Sequence, residues 1–240
     1  MEVKIFDTYE ELSKEAAKVV IEQVRNNPKS VLGLATGSSP IGLYNELIRD
    51  HKENNTTYKD VITYNLDEYF GIDKTHPQSY YQFMIENLFK HIDINLDNVH
   101  IPDGKAANVE EECARYNELL KQHTIDIQIL GIGGNGHIGF NEPGTPFEST
   151  THHVQLDEKT RQDNARFFHS IDEVPTHAIT VGIQNILEAK QIILIASGEG
   201  KADAIAKMIN GPVNPSLPAS ILQTHDNVLV FLDKQAASKL

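Results

Sequence analysis

A single cysteine, no run of basic residues and no apolar stretch long enough to cross a bilayer set the first limits on this chain. Cys113, being alone, cannot close an intrachain disulfide, so the fold rests on its core. It falls in line with Val109, Tyr116 and Leu120 on one helical face and reads as a core residue, not a reactive thiol. Apolar runs such as Ile192–Ala196 are far too short for a membrane span, and Met1–Asp7 lacks the basic and apolar layout of a secretory leader. A cytoplasmic location is expected. Asn54-Asn55-Thr56 matches a glycosylation acceptor, a pattern with meaning only in a secreted chain. With 21 basic against 34 acidic residues the formal net charge is −13, and binding to nucleic acid or an anionic membrane is excluded, because both need clustered Lys and Arg. An anionic small ligand would need a local cradle of backbone amides and a few placed cations.

What the chain does contain is alternation. Runs rich in β-branched residues at Ser30–Leu34, Val61–Asn65, Ile125–Leu130, Ala178–Val181, Gln191–Ala196 and Val228–Leu232 read as buried strands. Between them, apolar residues at three- and four-residue spacing predict helices over Tyr9–Arg25, Pro40–His51, Tyr80–His91, Val109–Gln122 and Lys201–Asn210. Such alternation implies an α/β fold with a mostly parallel central sheet covered on both faces, and ligands then bind beyond the carboxyl ends of the strands. No repeat or Pro/Gly/Ser-rich linker divides the 240 residues, so one catalytic domain over 1–240 is expected. Gly144–Pro175 is the least regular part, with a short helix over Glu158–Asn164, and reads as an insertion over the strand ends, a lid over the site.

The loops after strands carry the chemistry. Ala35-Thr36-Gly37-Ser38-Ser39-Pro40 joins a strand to a helix, where glycine, hydroxyls and a helix N-terminus suit a phosphate; an ordinary turn with Ser39 as N-cap and Pro40 in the first helical position fits as well. Asn65-Leu66-Asp67-Glu68-Tyr69 places two carboxylates at a strand end, either a solvated acidic turn or candidates for proton transfer. Gly131-Ile132-Gly133-Gly134-Asn135-Gly136 satisfies the dinucleotide fingerprint, and Asp157 even supplies a later acid. That fingerprint must open a helix, which Gly139, Pro143, Gly144 and Pro146 oppose. What remains is a tight loop presenting His137, Asn141 and Glu142 within six residues, a histidine with a carboxylate available to orient it. His152 and His153, neighbours on an extended segment, point to opposite faces and do not make a metal shell. Arg166 and Lys201 could supply the cations, Lys201 because an unpaired cation at a helix start opposes the dipole.

Taken together, Thr36–Pro40, Asn65–Tyr69, Gly136–Pro143, Asn164–Phe168 and Gly198–Lys201 stand in the order and approximate spacing of the glucosamine-6-phosphate deaminases, which the chain resembles from end to end. The resemblance implies a Rossmann-like three-layer sandwich and conversion of D-glucosamine 6-phosphate and water to D-fructose 6-phosphate and ammonia, without metal or organic cofactor. By that likeness His137 opens the sugar ring, Asn135 and Glu142 hold and polarise it, and Asp67 moves the proton from carbon 2 to carbon 1. Thr36, Gly37, Ser38, Ser39, Arg166 and Lys201 would grip the phosphate.

Two departures matter. Asn135 stands where many longer relatives carry Asp, so a charged relay through it is excluded while orientation is not. The chain is also shorter than the allosteric members, so neither their activation by N-acetylglucosamine 6-phosphate nor their hexameric state is carried over, and the oligomeric state stays open. A 6-phosphogluconolactonase resembles the same fold with a Gly-His pair, but Asn141-Glu142-Pro143 after the histidine favours the deaminase. A sugar-phosphate-sensing regulator is a third reading, opposed by the acidic charge and by the presence of Asp67, His137 and Glu142 together.

Overall fold

The computed structural model describes residues 1–240, the Phe167 side chain excepted. The chain runs β1 (Glu2–Phe6), α1 (Tyr9–Asn26), β2 (Val31–Leu34), α2 (Ile41–Asn54), β3 (Ile62–Asn65), β4 (Asp67–Tyr69), α3 (Tyr80–Asn87), β5 (Val99–His100), α4 (Val109–Leu120) and β6 (Ile127–Leu130). It continues through β7 (His152–Gln155), α5 (Glu158–Asn164), β8 (His177–Thr180), α6 (Ile183–Leu187), β9 (Gln191–Ala196), α7 (Ala202–Asn210) and β10 (Val228–Asp233). Local signals set the helix ends. Thr8 caps α1 by accepting from the Glu11 amide, and Leu12, Ala16, Val20 and Val24 follow on its buried face. Asn55, at φ 59°, ends α2 in the left-handed conformation that asparagine tolerates.

Seven strands form a fully parallel sheet in the order β1-β10-β9-β6-β2-β3-β5, the Rossmann-like α/β arrangement expected. β9 and β10 are buried on both faces, which is why they read as continuous apolar runs rather than alternating ones. Ile193, Leu194 and Ile195 are wholly excluded from solvent. Truncating one of them to alanine would cost about 2–5 kcal/mol. Chain order reverses between β2 and β6, neighbours in the sheet although β3 and β5 intervene in sequence. At such a point the loops diverge and leave a crevice.

The structure corrects several boundaries and one assignment. Ala178–Val181 was expected in the main sheet, but β8 instead joins β4 and β7 in a separate antiparallel sheet, with Asp67 paired to Thr180. The chain turns at Leu66, whose amide donates to Leu34 and whose carbonyl accepts from Val181, so the strand passes from one sheet to the other within a single residue. A short apolar run carries no mark of which sheet it joins. Short β1, β4, β5 and β7 were not anticipated either. Pro40, not Ser39, occupies the N-cap of α2, with no side-chain cap; the Tyr9 hydroxyl accepts from Gly42 and donates to the Ser38 and Ser39 carbonyls. α3 stops at Asn87 rather than His91, giving way to a tighter turn over Phe89–His91.

Within 144–175 the short helix is present as α5, but β7 gives the segment more order than expected. Its entry is pinned twice. Ser149 accepts from the Ile183 and Gln184 amides, and the Asn117 side chain bonds both backbone groups of Thr151. Cys113 is buried and free on α4, and burial pushes its thiol up to about 11, so it is unreactive near neutrality. No described helix is long and apolar enough to cross a membrane.

Candidate active site

Four neighbouring strands, β9, β6, β2 and β3, deliver their carboxyl-end loops to one cleft of about 170 Å³. Thr36, Gly37, Ser38 and Ser39 come from the loop after β2, Asp67 from the turn after β3, Gly131–Gly134 and His137 from the loop after β6, and Lys201 from the loop after β9. Thr160, Asp163, Asn164 and Arg166 reach the cleft from α5 and the turn after it. The residues assigned roles by the resemblance therefore converge on the cleft, except for Asn135 and Glu142, which do not line it and stand beside His137.

Asp67 and Glu68 share a turn but not an environment. Asp67, the first residue of β4, is 6% exposed, and burial followed by the neighbouring Glu68 charge pushes its carboxyl up to about 8. It accepts no hydrogen bond among the described residues, so no protein donor offsets the cost that burial adds to its ionisation. Glu68 points elsewhere and accepts from the amides of Tyr69, Tyr80 and Tyr81 at 2.9, 2.9 and 3.0 Å, the last two in the first turn of α3. Burial still raises it to about 7 against those donors. Its oxygens are engaged in holding α3, which leaves Asp67 as the available carboxylate. The solvated acidic turn is ruled out, since both are buried.

The loop after β6 closes on itself, Gly133 donating to the His137 carbonyl and Gly136 to that of Gly133, and no helix follows. The nucleotide fingerprint thus lacks the helix that it requires. Gly133 lies against the imidazole so closely that a Cβ there would fall 2.3 Å from a ring atom. His137 Nδ1 sits 3.4 Å from Glu142 Oε2, close but not aligned as a hydrogen bond. Asn135 braces both partners: its Nδ2 donates to Glu142 Oε2 at 2.9 Å and its Oδ1 accepts from the His137 amide at 3.2 Å. On the other side, the Thr160 hydroxyl donates to Glu142 Oε1 at 2.6 Å. Burial opposes ionisation of Glu142, but His137, Thr160 and Asn135 outweigh it and hold the carboxyl down at about 2. Asn141, named with these residues in the sequence, is fully buried and donates to the Ile138 and Val181 carbonyls, a brace beneath the loop.

At the far end the cleft gathers positive charge in a chain of net −13. Lys201 caps the start of α7 and donates to the Ile132 carbonyl at 2.7 Å. Burial lowers its pKa, Asp163 partly offsets this, and Arg166 and Lys159 add repulsion. Cations therefore crowd at a helix start beside the Thr36–Ser39 and Gly131–Gly134 backbones, an arrangement able to hold an anion. Among the described residues no group of three or more His, Cys, Asp or Glu is arranged for a metal; His153 of the former metal candidate stacks on His177.

Sequence reading missed Thr160, Asn164 and Tyr80. Tyr80 lines the cleft stacked on Phe140, and the Asn164 side chain reaches Tyr69. Thr160 and Asn164 stand four residues apart on α5, a helical spacing that the polar segment did display.

The model of the family described as glucosamine-6-phosphate isomerases/6-phosphogluconolactonase matches residues 7–231. A protein named glucosamine-6-phosphate deaminase from Clostridium novyi (strain NT) is 54% identical over 241 residues, covering 100% of both chains. One of the same name from Clostridium botulinum (strain Okra / Type B1) is 54% identical over 100% of this chain and 99% of its own. A solved structure described as a monomeric glucosamine-6-phosphate deaminase superposes with a TM-score of 0.99 at 48% identity over the whole of both chains. The 6-phosphogluconolactonase from Trypanosoma brucei, at TM-score 0.82 and 19% identity over 100% of this chain and 98% of its own, shares the fold alone.

Proposed function

The chain belongs to the family of glucosamine-6-phosphate isomerases and 6-phosphogluconolactonases, and from that premise we infer that it is an enzyme converting D-glucosamine 6-phosphate and water to D-fructose 6-phosphate and ammonia. The observation that carries this reading at the site is the pairing, in one cleft, of a largely buried carboxylate at Asp67 with a histidine held against the ionised Glu142. Lactone hydrolysis needs no carbon acid to be deprotonated; the isomerising step does.

His137 takes the proton of the anomeric hydroxyl and returns it to the ring oxygen as the C1–O5 bond breaks, with Glu142 stabilising the imidazolium between the two transfers. Asp67 then removes the carbon 2 proton while the carbon 1 carbonyl oxygen takes up a proton from the neighbouring ammonium group, giving an enolamine; Asp67 returns its proton to carbon 1, leaving a protonated imine at carbon 2. A carboxylate displaced upward to about 8 is a stronger base than a solvated one, and the substrate's own ammonium charge helps to keep it ionised. Water adds to the imine and ammonia leaves. Thr36 to Ser39, Arg166 and Lys201 grip the phosphate, so that its binding energy positions the reacting carbons. The turn from 144 to 175, with α5, acts as the lid. The similarity over the whole chain to a solved deaminase described as monomeric supports action as a monomer.

The test is to incubate purified protein with glucosamine 6-phosphate and measure ammonia and fructose 6-phosphate, with 6-phosphogluconolactone hydrolysis in parallel. Equal release of the two products is expected. Rapid lactone loss with no ammonia would overturn the assignment.

A further inference from the structure

Thr36–Ser39 and Lys201 of the phosphate cradle and the His137–Glu142 pair lie on loops that follow strands of the main sheet, whereas Thr160 belongs to α5 and Arg166 to the turn after it, outside that sheet. It is nevertheless 4% exposed, and its hydroxyl takes up Glu142 Oε1 while Asn135 takes Oε2. A carboxylate fixed by one donor can swing about its Cγ–Cδ bond. Two donors, one on each oxygen and from different segments, set its plane. The oxygen that Thr160 leaves uncovered is the one 3.4 Å from His137 Nδ1. One turn further along α5 the Asn164 side chain reaches Tyr69, two residues beyond Asp67. The same helix face therefore touches the supports of both reacting groups. Arg161, on another face, donates to the Ile171 and Val174 carbonyls, which ties α5 to the turn that follows it.

We propose that Thr160 is a positioning residue for the deamination: its hydroxyl, by holding Glu142 Oε1, fixes Glu142 Oε2 against His137, so that ring opening depends on α5 being seated. This rests on the deaminase reading. Thr160 does not touch the substrate's reacting atoms in this account; it acts through Glu142. A residue in that role changes the rate of the chemical step more than substrate capture, since the phosphate grip is made by other groups.

Thr160→Val keeps the branched shape and removes the donor, and Thr160→Ser keeps the donor and removes the methyl group. Steady-state kinetics with glucosamine 6-phosphate should show kcat for Thr160→Val reduced about tenfold or more, with KM within about twofold of the parent. Thr160→Ser should recover most of that kcat. Thermal unfolding followed by circular dichroism should give similar midpoints for all three, which separates positioning from collapse of α5. Wild-type kcat in Thr160→Val, or equal impairment in both variants, would overturn the proposal, because the first removes any need for the hydroxyl and the second assigns the residue to packing. An inactive parent would instead refute the deaminase reading, so the two failures are distinguishable.

Discussion

Asp67 is a buried carboxylate of the cleft and Glu142 a partly buried one beside it, and their surroundings drive them in opposite directions, Asp67 up to about 8 and Glu142 down to about 2. The difference is one of partners. Glu142 has two hydrogen-bond donors and a histidine at hand, and Asp67 has none among the described residues. Separation of this kind assigns a base to one site and a fixed charge to the other.

The pH dependence follows from Asp67. In the free enzyme it must be ionised to act, so kcat/KM should climb with pH and level off above about 8. The corresponding limb in kcat should lie lower, because the bound ammonium group favours the carboxylate. Initial rates at low and saturating substrate across pH test this, and a kcat/KM flat through that region would count against Asp67 as base.

Asp67→Asn should abolish exchange of the carbon 2 proton with solvent while making the protein more stable. A folded-state pKa raised from 3.8 to about 8 means that stability present below the unfolded value is lost as pH rises through the folded one. The variant escapes that loss. Its advantage should be absent at pH 3.8 and below, and reach roughly 1–3 kcal/mol by pH 8 in denaturant titrations. Retained exchange would place the base elsewhere.

Glu142→Gln reverses the sign. A carboxyl lowered from 4.5 to about 2 contributes stability that is present above 4.5 and fades as pH falls toward 2. The variant should be less stable than the parent at neutral pH, with the gap closing across that acid window. Its kcat should fall about 100-fold, as expected for loss of support to an acid/base group. Acid unfolding curves of the two proteins check the first claim and steady-state rates the second.

Gly133→Ala should separate catalysis from folding. The added methyl meets the His137 ring, the mobile end of a side chain, so the ring gives way rather than the backbone. We expect kcat to fall at least tenfold with the melting temperature little changed, since a displacement near 1 Å costs this much at a reacting group. An active variant would mean that the ring position seen in the structure is not the working one.

Lys201→Met should raise KM for glucosamine 6-phosphate about 10- to 100-fold, and weaken competitive inhibition by inorganic phosphate by a similar factor. A change confined to kcat would remove Lys201 from the cradle.

Much of this was determined by the sequence alone. The alternation of apolar runs and helical periodicity is local, so it fixed the α/β class, and the glycines and prolines around His137 excluded a nucleotide helix without reference to any contact. The order of motifs from Thr36 to Lys201 carried the family resemblance. Tertiary structure alone decided that β8 leaves the main sheet, because strand pairing is a long-range choice on which a short run such as Ala178–Val181 is silent. It also decided which of two adjacent acids is available. Asp67 and Glu68 are equivalent as letters; the amides that occupy Glu68 come from α3, 12 and 13 residues away, and among the described residues no donor reaches Asp67. Thr160 stayed hidden for the same reason. Its partner Glu142 lies 18 residues distant, and a hydroxyl on a short polar helix acquires meaning only when folding brings a carboxylate to it.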